Sequence, residues 1–114
     1  MGRIIAGDAS LTITDERAFA HIRAAVISLV VDRERSFFLE AMTPLGRVAT
    51  LCGPNLPLQF ESEADLVEDD NDTWVAAIEE ATIATGVLTL MREESAEGFL
   101  QRSLDANRHT QPSE

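Results

Sequence analysis

Between Asp15 and Val31 the apolar residues Phe19, Ile22, Val26 and Leu29 recur at spacings of three and four, the repeat that keeps side chains on one face of a helix. Thr14 or Asp15 stands where a helix start favours an oxygen-bearing side chain. A first helix is predicted from about Asp15 to about Val31. A second stripe, Trp74, Ile78, Ala81 and Thr85, flanked by Ala77 and Ala84, predicts a second helix over 73–85. Asp72 would cap it, and Gly86 stands where a left-handed terminus favours glycine.

Elsewhere the period shortens toward two. Arg3–Ala6 and Leu11–Thr14 are short β-prone runs, joined through Gly7-Asp8-Ala9-Ser10 as a hairpin. Phe37, Leu39 and Ala41 oppose Phe38, Glu40 and Met42 across a third strand. Thr43-Pro44-Leu45-Gly46 then turns the chain into a fourth strand, Val48–Cys52. Leu56, Leu58 and Phe60 alternate with Pro57, Gln59 and Glu61 as a fifth, held to an edge or a strand start by Pro57. Val87–Met91 reads as a sixth. The order ββαβββαβ predicts an α+β fold, a mostly antiparallel sheet of about six strands with two helices on one face, in a single domain of residues 1–92. From Arg92 the chain is polar, with only Phe99, Leu100 and Leu104 as large apolar residues. Residues 93–114 are therefore expected as a flexible polar tail, or as a short helix formed against a partner.

At 114 residues and 45% hydrophobic, the chain fits one small domain that buries roughly 65% of its unfolded surface. A second copy covering an apolar face would add burial, so a homodimer is expected. Cys52 is the only cysteine, which excludes an internal disulfide and a cysteine-rich zinc site and points to a cytoplasmic setting. Nothing after Met1 resembles a signal-peptide core. The longest apolar-rich stretch, Ala24 to Val31, falls far short of the ~20 residues that cross a bilayer, so no membrane partner is expected.

Charge changes the picture further. The chain has no lysine, and its nine arginines face 20 acids for a formal net charge of −11. P-loop phosphate binding, pyridoxal-phosphate Schiff bases and lysyl-nucleotide transfer all need an amine that arginine does not replace. Residues 1–60 balance six arginines with six acids, whereas residues 61–114 set three arginines against fourteen acids. Between Glu61 and Asp72 seven of twelve residues are acidic, a density that reads as a solvated loop. Without the glycine turn and twelfth-position glutamate of a calcium loop, it carries no metal expectation. It is instead a candidate surface for a basic protein, formed by Glu63, Asp65, Glu68, Asp69, Asp70 and Asp72. Trp74 follows as either an interface anchor or a residue that closes the core.

Three further residue sets bear on chemistry. Arg17, Arg23, Arg33, Arg35 and Arg47 are the alternative, a phosphate-binding cluster for a nucleic acid or nucleotide. Interleaved Asp15, Glu16, Asp32, Glu34 and Glu40 cancel much of their field, which ranks nucleic acid behind protein. His21 shares a polar flank of the first helix with Arg17 and Ser28, but a general base needs a charge partner, and a structural role is expected. Cys52 alternates with Val48 and Thr50 on one strand face, where a free thiol behaves as a small core residue. No catalytic residue, cofactor or metal is expected. The chain reads as a non-enzymatic, self-associating protein-binding module.

Several short segments carry a resemblance: Met1-Gly2-Arg3, Asp15-Glu16-Arg17-Ala18-Phe19-Ala20-His21, Ser36-Phe37-Phe38, Gly46-Arg47, Pro54 to Phe60, Asn71-Asp72-Thr73-Trp74 and Gly86-Val87-Leu88. Over about residues 1–92 they resemble a family of small, uncharacterised actinobacterial proteins. Members often carry a DNA-ligase-like name, which implies ATP-dependent nucleotidyl transfer. Such ligases resemble one another in a Lys-x-Asp-Gly nucleophile motif, and a chain without lysine has no amine to adenylylate. The acidic run 61–72 and the C-terminal extension depart from the family pattern.

Overall fold

The computed structural model describes residues 1–7, 9–62 and 71–110. Two short strands open the chain, β1 (Gly2–Ala6) and β2 (Ala9–Ile13), paired antiparallel from Gly2 opposite Ile13 to Ala6 opposite Ala9. Helix α1 (Glu16–Ile27) follows, with the Asp15 carboxylate accepting hydrogen bonds from the backbone N–H groups of Arg17 and Ala18. The helix continues through Ser28–Asp32 with wider, π-type hydrogen bonding, closed by Arg33 N–H donating to the Ser28 carbonyl at 3.0 Å. The predicted stripe is the buried face: Phe19, Ile22, Val26 and Leu29 are all in the core.

Strands β3 (Phe37–Thr43) and β4 (Gly46–Cys52) form a separate two-stranded sheet, with Phe37 opposite Cys52 and Thr43 opposite Gly46. The fifth strand, β5 (Gln59–Ser62), pairs antiparallel with the free side of β1, giving a three-stranded order β2-β1-β5. It starts later than the expected Leu56–Phe60, because Pro57 has no N–H to give to a ladder and pairing begins beyond it. Gly2 packs so close to the Phe19 ring that a side chain there would collide with it.

Helix α2 (Asp72–Thr85) is capped by Asn71 rather than by Asp72; the Asn71 side-chain oxygen accepts from Trp74 N–H at 3.1 Å. Gly86, with φ 78°, terminates it in the left-handed conformation. The expected sixth strand is only a bridge, in which Val87 pairs with Phe38 in parallel fashion. On the side facing β3 only Phe38 N–H to the Gly86 carbonyl and Leu88 N–H to the Phe38 carbonyl are made, both at 2.8 Å, while on the opposite edge Thr82 Oγ1 accepts from Thr89 N–H and Thr85 Oγ1 donates to the Val87 carbonyl, which ties this edge of the segment back to the end of α2.

The stretch from residue 93, expected as a polar tail or a short helix formed against a partner, contains a third helix, α3 (Glu93–Thr110), packed on α2 of its own chain. Its contact face is Ala96, fully buried, with Phe99 and Leu100 half-buried against the core. These lie three and four residues apart, an apolar stripe in which alanine supplies the central contact. Among the described residues the chain is thus α+β with five strands in two small antiparallel sheets and three helices, in place of six strands and two helices. Among the described residues no helix is long and apolar enough to cross a membrane.

Candidate functional site

Polar chemistry concentrates where the three helices meet. His21 is 2% exposed. Its Nε2 accepts a hydrogen bond from Asn71 N–H at 2.9 Å, which leaves the ring proton on Nδ1, donated to the Arg17 carbonyl at 2.7 Å. The ring stacks on Trp74, centroids 4.6 Å apart. Arg17 donates from Nε and Nη2 to the two oxygens of Glu93 at 3.0 and 2.7 Å, and the Asn71 amide donates to the same carboxylate at 2.8 Å. The Arg17 hydrogen bonds, and then that of Asn71, pull the Glu93 carboxyl down to about 2. Trp74 is 4% exposed, and its Nε1 donates to the Met91 carbonyl at 3.0 Å.

This arrangement holds helices together. Both nitrogens of His21 are engaged, so the imidazole offers neither a lone pair to a metal nor a free site to a substrate proton. A cleft of about 380 Å³ lies beside it, lined by Asp15, Arg17, Trp74, Arg92, Glu93 and Glu94 among others. Its Asp15 caps α1, and its Arg17 and Glu93 hold each other. Trp74 closes the core, the second of its two sequence readings.

Four of the five arginines face partners of their own. Arg17 pairs with Glu93, and Arg23 lies over the Phe60 ring at 5.6 Å. Arg33 reaches Glu79 at 3.5 Å and Glu80 at 3.3 Å, tying the chain after α1 to α2. Arg47 faces Glu40 at 3.7 Å, and Arg35 is exposed. Cys52 is buried, which pushes its thiol up against a smaller lowering by a backbone hydrogen bond at Leu39, so the reactive thiolate is disfavoured. Among the described residues no group of three or more His, Cys, Asp or Glu is placed to hold a metal ion. Of the acidic surface, Asp72 is exposed in the first turn of α2, whereas Glu63, Asp65, Glu68, Asp69 and Asp70 lie outside the described residues.

A feature the sequence reading did not single out lies on the β3–β4 hairpin. Phe37, Leu39, Ala41 and Cys52 point into the core, so their strand neighbours point outward. Cross-strand partners share a face, and the outer rows are Phe38 with Leu51, Glu40 with Ala49, and Met42 with Arg47. Phe38 is 45%, Leu51 48% and Met42 73% exposed, and Leu45 at the turn is 98% exposed. The signal was present in the adjacent pairs Phe37-Phe38 and Ala41-Met42: a strand with water on one side alternates, and this one is apolar on both.

No curated protein and no solved structure matches the chain. One protein-family model does, over residues 1–93, up to the glutamate that fastens the three helices together. The chain belongs to the family described as a domain of unknown function, DUF7882.

Proposed function

We propose that this domain is a cytoplasmic protein-interaction module that acts by contact rather than by chemistry, through the outer face of the β3–β4 hairpin. The observation that carries the reading is the exposure of Phe38, Met42, Leu45 and Leu51 on one small sheet. Large apolar groups gathered on one exposed face mark sites that another molecule covers. The residues that first suggested catalysis support it from the other side, because His21 and Cys52 are engaged in packing. Protein is favoured over nucleic acid: Arg17, Arg33 and Arg47 each face a carboxylate, which leaves little field for phosphates. The acidic stretch 61–72 supplies a second surface in this reading, suited to a basic partner, with exposed Asp72 at its end.

Photocrosslinking tests the hairpin directly. A photoreactive side chain placed at Met42 in the cells that make the protein is expected to form protein adducts, and one at exposed Arg102 on α3 is expected to form few. Absence of any protein adduct at Met42 would end the reading.

A further inference from the structure

The hairpin face is neutral in a strongly acidic chain. Residues 37–52 carry one acid, Glu40, and one base, Arg47, while the whole chain has a formal net charge of −11. Two copies repel over most of their surfaces, and least where hairpin meets hairpin.

The same face is self-complementary in one orientation. Its three rows are Phe38 with Leu51, Glu40 with Ala49, and Met42 with Arg47. Turning a second hairpin about a two-fold axis parallel to the strands lays β3 of one copy over β4 of the other with the rows in step. Phe38 then packs on the partner's Leu51, and Glu40 lies over the partner's Ala49, within diagonal reach of the partner's Arg47. The alternative axis, across the strands, stacks β3 on β3 and sets Glu40 against its own counterpart. Charge therefore selects the first arrangement.

We infer that the occupant of this face is a second copy of the chain, packed hairpin on hairpin about a two-fold axis parallel to the strands. The inference rests on the reading of that face as the interaction surface and names its partner. Size sets the strength. Two strands of seven residues cover about 24 by 10 Å, less than the ~800 Å² that each partner buries in a standard interface. The dimer is accordingly weak and concentration-dependent.

Sedimentation equilibrium of the full chain from about 1 µM to about 1 mM should show the mass rising from monomer toward dimer. Glu40→Arg leaves only positive charge at the facing positions, and Arg47→Glu only negative charge. Each variant is expected to self-associate at least about tenfold more weakly. Because Glu40→Arg lowers the overall negative charge, its loss of association is not general repulsion. Mixing the two variants restores both cross-pairs, and association should return to the wild-type level. Circular dichroism of each variant alone should match the wild type, since the exchanged side chains are exposed. A wild type that stays monomeric, or a mixture no tighter than either variant alone, overturns the inference. If Met42 crosslinks only to other proteins in that case, the interaction face survives and the second copy does not; if it crosslinks to nothing, both fall.

Discussion

The helix junction and the β3–β4 hairpin invert the usual distribution of side chains. At the junction, polar groups lie deep or half-covered, and His21, Asn71, Arg17 and Glu93 find their hydrogen-bond partners in one another or in nearby backbone. On the hairpin, large apolar groups stand in water with little against them. Buried polar groups are costly unless satisfied, and once satisfied they fix geometry. Exposed apolar groups add little to folding and are explained by contact with something else. The contrast places His21 in the architecture, and it is the exposed hairpin face on which the proposed interaction rests.

The largest effect expected in breaking this contrast is at Trp74. Its ring is buried, stacks on His21 and ties the Met91 carbonyl to α2. Trp74→Ala should cost about 3–5 kcal/mol, a large share of the stability of a domain this size. Urea unfolding checks it. A loss below about 1 kcal/mol would mean that the stack and the Met91 bond do not organise the junction.

Much of this architecture is legible in the sequence where a stripe or an alternation is carried by large residues. The buried face of α1, the capping role of Asp15, the Gly86 terminus and the paired strands β1–β2 and β3–β4 all follow from spacing and turn chemistry. Helix α3 does not, because its central contact is Ala96, whose small side chain carries weight only once α2 is known to lie within reach. The sixth strand shrinks to the single bridge Phe38–Val87, and Thr82 and Thr85 hold the far edge of that segment against α2, contacts that alternation alone does not announce. At the junction, Arg17 and His21 are visible as neighbours one turn apart, but their partners Asn71 and Glu93 are 50 and 76 residues away. No local pattern announces such a pairing.

A second test sharpens the contrast by pH. In the folded chain the Glu93 carboxyl is lowered from its ordinary 4.5 to about 2, chiefly by Arg17 and then by Asn71. As pH falls below 4.5 the unfolded chain takes up this proton before the folded chain does. The stability Glu93 contributes is thus complete above that value and is lost as pH falls through about 2. Glu93→Gln removes the titration. The variant should be less stable than the wild type at neutral pH, and the gap should close on acidification, read as converging urea midpoints. A gap that stays constant from about pH 6 to about pH 2 would mean that Arg17 does not hold the carboxylate as drawn.

The smallest effect belongs on the other side of the contrast. Met42 is 73% exposed and faces only Arg47 across the strands. Met42→Thr keeps a side chain suited to a strand and removes a thioether that water already surrounds. At dilution sufficient to keep the chain monomeric, its unfolding free energy should stay within about 0.5 kcal/mol of the wild type. If a second hairpin covers this face as inferred, the same substitution should weaken self-association, because Met42 is one of the apolar side chains on it. A large destabilisation of the monomer would mean that Met42 packs within its own chain, and the hairpin would then belong with the junction as architecture. Unchanged folding with lost association separates the two regions by function, since a side chain that the monomer does not use for stability is then required only for contact.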